Sequence, residues 1–122
     1  MLSGELKGYR ELIVWKRSME LVSEVYKLAK CLPKEEKYVL SDQIRRSAIS
    51  IPSNIAEGNG RIGNKDYVRF LSIARGSQYE LETQLLLCVQ LGYLSDIDIS
   101  KASVLCDEIG KMINALITRL DK

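Results

Sequence analysis

Apolar residues along this chain recur at intervals of three and four, the spacing of one face of an α-helix, and no strand pattern competes. The pattern predicts four long helices. The first runs from about Tyr9 to Leu32. Leu12, Trp15, Met19, Val22, Tyr26 and Ala29 form one stripe, and Leu21, Val25, Leu28 and Leu32 form a second beside it. Two adjoining stripes make a wide apolar arc, as expected of a helix that touches two neighbours. Pro33 ends this helix and suits the first turn of the next, where its missing N–H costs nothing.

The second helix is predicted from about Lys34 to Glu57. Glu35 and Glu36 lie in its first turn, where the macrodipole favours anions. Leu40, Ile44, Ala48, Ile51 and Ile55 make its inward face. Pro52 falls inside. It cannot donate to the carbonyl of Ala48, and its ring crowds that carbonyl, at a cost of ~3 kcal/mol or more in a regular helix. The inward stripe nevertheless continues in phase from Ile51 to Ile55, which predicts a kinked but continuous helix rather than a break. Ser50, Ser53 and Asn54 are placed to serve the backbone groups freed at the kink.

Gly58, Asn59 and Gly60 should stop this helix, because glycine takes the left-handed cap conformation without strain. The third helix is expected after Gly63, with Asn64 as its N-cap. Its stripe is Tyr67, Leu71, Ala74, Gln78, Leu81, Leu85 and Cys88, and it ends near Gly92. Ser95 or Asp96 caps the fourth helix, which runs to the C-terminus. Its stripes are Ala102, Leu105, Ile109, Met112 and Leu116, flanked by Cys106, Ile113, Ile117 and Leu120. Helices of about 22 to 29 residues are roughly 33–43 Å long at 1.5 Å per residue. Short connections between them predict an all-α, antiparallel up-down-up-down four-helix bundle. Residues 9–122 form that domain, and residues 1–8 are expected as a flexible N-terminal tail.

Composition narrows the chemistry. The 122 residues suffice for one domain with one core, and 46% apolar with 28% charged residues is ordinary for a soluble globular chain. The longest apolar run, Leu85-Leu86-Leu87-Cys88-Val89, is far short of the ~20 residues of a membrane span. The opening MLSGELKGYR lacks the apolar segment of a signal peptide, so a cytoplasmic protein is expected. Cys31, Cys88 and Cys106 are odd in number and widely spaced, without a CxxC pair, and read as free thiols. There is no histidine. Its absence removes His-based triads and general bases, and nearly every zinc or haem site. A di-iron bundle, which needs Glu-x-x-His on two helices, fails for the same reason. No cofactor, metal or small-molecule substrate is expected.

The remaining polar groups read mainly as structure. Glu35-Glu36 and Asp96-Asp98 sit at predicted helix starts, where acids suit the dipole alone. The glycine-rich GNGRIGNK, Gly58 to Lys65, lacks the GxxxxGK[ST] spacing of a phosphate loop and joins two helices. Charge is uneven, however. Arg61, Lys65, Arg69 and Arg75 face only Asp66 between Gly58 and Gly76, whereas Ser77 to Ser100 holds four acids and no base. Arg61, Lys65 and Arg69, spaced by four, are candidate contacts for nucleic-acid phosphates. A second stripe on the second helix, with Tyr38, Asp42, Arg45, Ile49, Pro52 and Ala56, mixes apolar groups with charges. Tyr38, Arg45, Ile49 and Pro52 are its candidate subunit contacts. Gln43, Arg46, Arg75, Gln78 and Glu82 are expected to form one polar network that sets helix register, since buried polar groups must be paired.

Two blocks, QIRRSAISIPSNIAEGNGR and FLSIARGSQYELETQLLLCVQLGY, together with LIVWKRSMELVSEVYKL nearer the N-terminus, carry a resemblance over roughly residues 9 to 120. The chain resembles the four-helix bundle proteins encoded by intervening sequences in bacterial 23S ribosomal RNA genes. The resemblance implies a cytoplasmic bacterial bundle that assembles as a homopentameric ring, without catalytic activity. That family is similar in fold to the accessory variability determinant protein of diversity-generating retroelements, a basic, nucleic-acid-binding pentamer. Arg46, Pro52, Ser53, Asn54, Glu57, Gly58, Gly76, Ser77, Glu80 and Glu82 match the family's motif and read as fold and assembly residues. The expected function is a non-enzymatic homo-oligomer that binds RNA or DNA weakly through a basic surface. The alternative is an adaptor ring that recruits a partner enzyme and binds no nucleic acid.

Overall fold

The structure is a computed structural model that describes residues 8–121. Most of the expected tail, residues 1–7, lies outside the described residues, as does Lys122. Gly8 opens a 3-10 turn, Gly8–Glu11, that packs on the first and second helices. Four α-helices follow: α1 (Ile13–Ala29), α2 (Leu40–Asn59), α3 (Asn64–Gln90) and α4 (Asp96–Leu120). No strand occurs among the described residues.

Contacts run in a closed circuit. α1 touches α2 and α4, and α3 touches α2 and α4, while neither diagonal pair meets. One apolar cluster fills the centre, with Leu21, Ile44, Ile51, Leu81, Leu85 and Ile113 almost wholly buried. Polar contacts fix how the helices lie. Ser47 donates to Gln84 Oε1 at 2.9 Å, and the hydroxyls of Ser50 and Ser77 meet at 2.6 Å, so residue numbers rise along α2 as they fall along α3. Arg17 approaches Glu108 at 3.7 Å and Lys101 approaches Glu24 at 4.0 Å, with the same reversal between α1 and α4.

The helix ends differ from expectation in instructive ways. Pro33 does not open α2 directly. It precedes a 3-10 turn, Lys34–Glu36, and α2 begins only at Leu40. Glu36 serves that start twice, accepting from the Leu40 backbone N–H at 3.3 Å and from the Tyr93 hydroxyl at 2.8 Å. The second contact pins the α3–α4 connection against the α1–α2 connection.

α2 runs unbroken through Pro52 to Asn59. Asn54 Nδ2 donates to the Ser50 carbonyl at 2.8 Å, whereas Ser50 turns its hydroxyl across to Ser77. Glycine does not end α2 by a left-handed cap. Gly60 has φ −81°, and the left-handed residue of this turn is Gly63, with φ +95°. Gly58 lies inside the helix for another reason: a Cβ there would stand 2.8 Å from Phe70 Cβ and 3.0 Å from Tyr67 Cδ1. It lets α2 and α3 approach.

Gly63, not Asn64, is the N-cap of α3, and the Asn64 side chain instead donates to the Leu120 carbonyl at 3.3 Å. α3 ends in a Schellman turn, with Tyr93 N–H on the Cys88 carbonyl, Gly92 N–H on the Val89 carbonyl and Gly92 at φ +80°. α4 starts on a complete capping box between Ser95 and Asp98. Both ends of the described chain lie at the α2–α3 turn: a Cβ on Gly8 would be 3.5 Å from Asn59 Oδ1, and Leu120 is held by Asn64.

Candidate functional site

Three features of the surface can carry a function, and each begins with a stripe. The first lies between α1 and α2. Of the two apolar stripes on α1, Leu21, Val25, Leu28 and Leu32 face the core. The other, through Trp15, Met19, Val22 and Tyr26, runs along the outside, with Met19 44% and Tyr26 40% exposed. Across from it α2 presents Ile49, Pro52, Ser53 and Ala56, and the two edges enclose a groove of about 340 Å³. Of the four candidate subunit contacts, Tyr38 is 83% and Ile49 41% exposed. Arg45 lies with its guanidinium 5.8 Å from the centre of the Tyr26 ring, in cation–π range. Pro52 departs from expectation. It is buried, because α1 covers it, and it forms the floor of the groove rather than an outer contact.

The second feature is the outer side of α3, which sequence reasoning passed over. Tyr79 (51%), Leu86 (60%), Leu87 (40%) and Leu91 (53%) are exposed there. Gly76 precedes them by one turn on the same side of the helix, and a Cβ on it would meet nothing within 4 Å. The signal was present. No charged residue occurs from Thr83 to Ser95, although half of this helical surface never faces the core.

The third feature is the basic cluster at the α2–α3 turn. Arg61 and Arg69 converge on Phe70, their guanidiniums 4.9 and 4.4 Å from the ring centre. Each has an acid partner, Arg61 with Glu57 at 2.8 Å and Arg69 with Asp66 at 3.5 Å. Lys65 stands exposed on the first turn of α3. Exposed pairs of this kind contribute little to stability, about 0–1 kcal/mol, but they offset much of the positive charge offered to a polyanion.

The expected polar network does not form as one unit among the described residues. Arg46 pairs with Asp42 at 2.8 Å, Arg75 donates to the Tyr79 hydroxyl at 3.1 Å, and Gln43 is exposed. Only Gln78 and Glu82 are joined, by a short hydrogen bond from Nε2 to Oε1. Gln78 Oε1 is buried without a partner and lies against Gly110, whose missing side chain makes room for it. The polar ties across α2 and α3 are instead Ser47–Gln84 and Ser50–Ser77. Serines spaced by three on α2, small enough for close helix approach, are the sequence signal for these ties.

Nothing in these features assembles an acid, a base and a nucleophile. Among the described residues no three of His, Cys, Asp and Glu are placed to hold a metal ion. Cys88 and Cys106 are buried, and burial raises both thiols, Cys106 to about 12 with a further contribution from Glu82. Both are held as neutral thiols, which are poor nucleophiles. No helix of the described residues is long and apolar enough to cross a membrane.

The model of the family described as 23S rRNA-intervening sequence protein matches residues 10–115, the whole bundle but for the end of α4. The chain belongs to that family. Its match takes in the α1–α2 groove, the basic cluster and the outer face of α3 alike. A solved structure agrees. The chain is similar to a crystal structure at 1.70 Å of a protein with unknown function from the S23 ribosomal protein family of Bacteroides thetaiotaomicron. The two are 30% identical with a TM-score of 0.79, over 86% of this chain and 98% of that one. Comparison with curated proteins found no match. Membership in the 23S rRNA-intervening sequence family thus brings a fold with it and leaves the role to be argued from the surfaces.

Proposed function

We propose that this member of the family is a non-enzymatic scaffold that works as a homo-oligomeric ring of antiparallel up-down-up-down bundles. The observation that carries the reading is the uncovered outer side of α3. Four large apolar side chains stand exposed between Tyr79 and Leu91, and one turn before them a Cβ on Gly76 would meet nothing within its own chain. Glycine in a helix interior costs about 1 kcal/mol relative to alanine. A neighbouring backbone approaching from outside accounts for its presence. Five copies is the ring size that the sequence resemblance implies, and a cytoplasmic location accords with three free cysteines.

RNA or DNA binding is the secondary role of this scaffold. Arg61, Lys65 and Arg69 offer at most three phosphate contacts per copy, and two of these residues already hold carboxylates. One subunit therefore binds poorly, and a ring gains by multivalency. The pairing of Arg61 and Arg69 favours the second reading, an adaptor ring for a protein partner, over strong nucleic-acid binding. Light scattering at micromolar concentration tests the scaffold: an oligomer is expected, and a monomer overturns the reading. Titration of structured RNA at increasing salt separates the two roles. Binding that weakens by a log–log slope of ~0.9 per duplex contact, and that vanishes when Arg61, Lys65 and Arg69 are all changed to Glu, supports the nucleic-acid role. No binding at low salt leaves the adaptor.

A further inference from the structure

The proposed oligomer leaves open which surfaces meet. Among the uncovered apolar faces of the described residues, the α1–α2 groove and the Gly76–Tyr79 stretch of the outer α3 face lie at the same level along the bundle. Ser47 and Ser50 of α2 are joined to Gln84 and Ser77 of α3. Ile49 of the groove is therefore level with the α3 segment that holds Tyr79, Glu80 and Thr83. The shapes are complementary in kind. The groove is concave, walled by Trp15 and Met19 on one side and by Ile49 and Ala56 on the other. The α3 face is a bare helix whose backbone is open at Gly76.

Charge agrees with shape. From Lys27 to Arg46, around the α1–α2 connection, six basic residues stand against three acids. From Ser77 to Ser100, along the α3 face and the following turn, there are four acids and no base. The α1–α2 connection and the C-terminal end of α3 lie at one end of the bundle, since Tyr93 reaches Glu36 there.

We infer that the α1–α2 groove of one copy receives the outer face of α3 from the next copy, with Gly76 of the second lying over Pro52 of the first and Tyr79 beside Ile49. The inference rests on the homo-oligomer reading and adds the contact that builds it. Such a contact is heterologous. The surface each copy offers differs from the surface it accepts, so repetition of one rotation closes a ring rather than a two-fold pair. Copies related by rotation about an axis along the bundles keep equal levels. The basic end of one groove then faces the acidic end of its neighbour's α3.

Two single-face variants test this. Ile49→Glu places a carboxylate in the groove, and Tyr79→Glu places one on the α3 face at the same level. Both positions are exposed in the single chain, and circular dichroism checks that each variant keeps its helices. Wild type, each variant and an equimolar mixture are measured by size-exclusion chromatography with light scattering. Each variant alone is expected as a monomer. The mixture is expected to form one-to-one dimers that grow no further, because only the intact α3 face of Ile49→Glu and the intact groove of Tyr79→Glu can meet. If Tyr79→Glu alone still pairs, the contact is groove to groove. If Ile49→Glu alone still pairs, it is α3 to α3. If both are monomeric and the mixture stays so, the two faces do not meet each other. Each of these three outcomes overturns the inference while leaving the oligomer intact, whereas a monomeric wild type overturns the scaffold reading itself.

Discussion

The two sides of α3 are made of the same helix and meet opposite fates. On the side toward α2, space is used to the last ångström: Gly58 of α2 abuts Phe70, and hydroxyls meet at 2.6 Å between Ser50 and Ser77. On the far side a Cβ on Gly76 would meet nothing within 4 Å, and Leu86 is 60% exposed. A glycine is informative on both sides, but for different partners. Gly58 is required by a neighbour within the chain. Gly76 has no neighbour within the chain, so the chain alone gives no reason to prefer it over alanine.

The sharpest way to break the inner side is Gly58→Val. A branched side chain must displace Phe70 and Tyr67, and stability toward urea is expected to fall by about 2–3 kcal/mol. The outer side answers differently. Gly76→Ala is expected to raise the stability of the dissociated chain by about 1 kcal/mol while weakening assembly, a split readable from denaturation of dilute protein beside light scattering of concentrated protein. If assembly tightens together with stability, no backbone approaches at Gly76. Pro52→Ala probes the floor of the facing groove. It restores the donor for the Ala48 carbonyl and removes part of a buried ring, so helical dichroism is expected to persist, with stability changed by less than ~1.5 kcal/mol, and assembly suffers more than the fold. Loss of most of the helical signal would contradict a helix that runs through residue 52.

At neutral pH the smallest effect belongs to the interior. Cys106 binds its proton more tightly folded than unfolded, its pKa raised by burial from 9.0 to about 12. Its contribution is constant below pH 9 and is lost as the pH rises toward 12, because the unfolded chain then gives up a proton the fold retains. Cys106→Ala should flatten the fall of stability with pH over that interval, measured as the difference in slope from wild type. Equal slopes would place the Cys106 thiol within reach of water.

The fold was legible wherever one stripe dominated a helix. Leu40, Ile44, Ala48, Ile51 and Ile55 are all buried as their spacing demanded. On α1 two stripes of similar strength lay side by side, and periodicity cannot say which of them faces inward. The stripe through Trp15 and Met19 turned out to line the groove. Pro52 is covered within the single chain because a residue at the edge of the core stripe is covered or bare according to its neighbour helix, which no local pattern reports. The glycines at 58, 60 and 63 could be read as punctuation, but only backbone geometry tells which bends the chain and which admits a neighbour. The candidate site was less legible still. Arg61 and Arg69 stand where the charge pattern put them. Their pairings with Glu57 and Asp66 are local, at helical spacing, whereas the meeting of Arg61 with Phe70 arises from the turn between α2 and α3.

The meeting of Gly8 with Asn59, and of Leu120 with Asn64, governs how the molecule can be handled and extended. Chain enters and leaves at one pole, the same pole that carries Arg61, Lys65 and Arg69. A group attached at Gly8 or Leu120 is thus delivered beside the basic cluster, while the pole at Pro33 and Gly92 stays clear. In a closed assembly of equally oriented copies, every attachment would crowd onto a single rim. Labels meant to report on nucleic acid belong at the opposite pole, where the exposed Cys31 thiol offers a ready anchor.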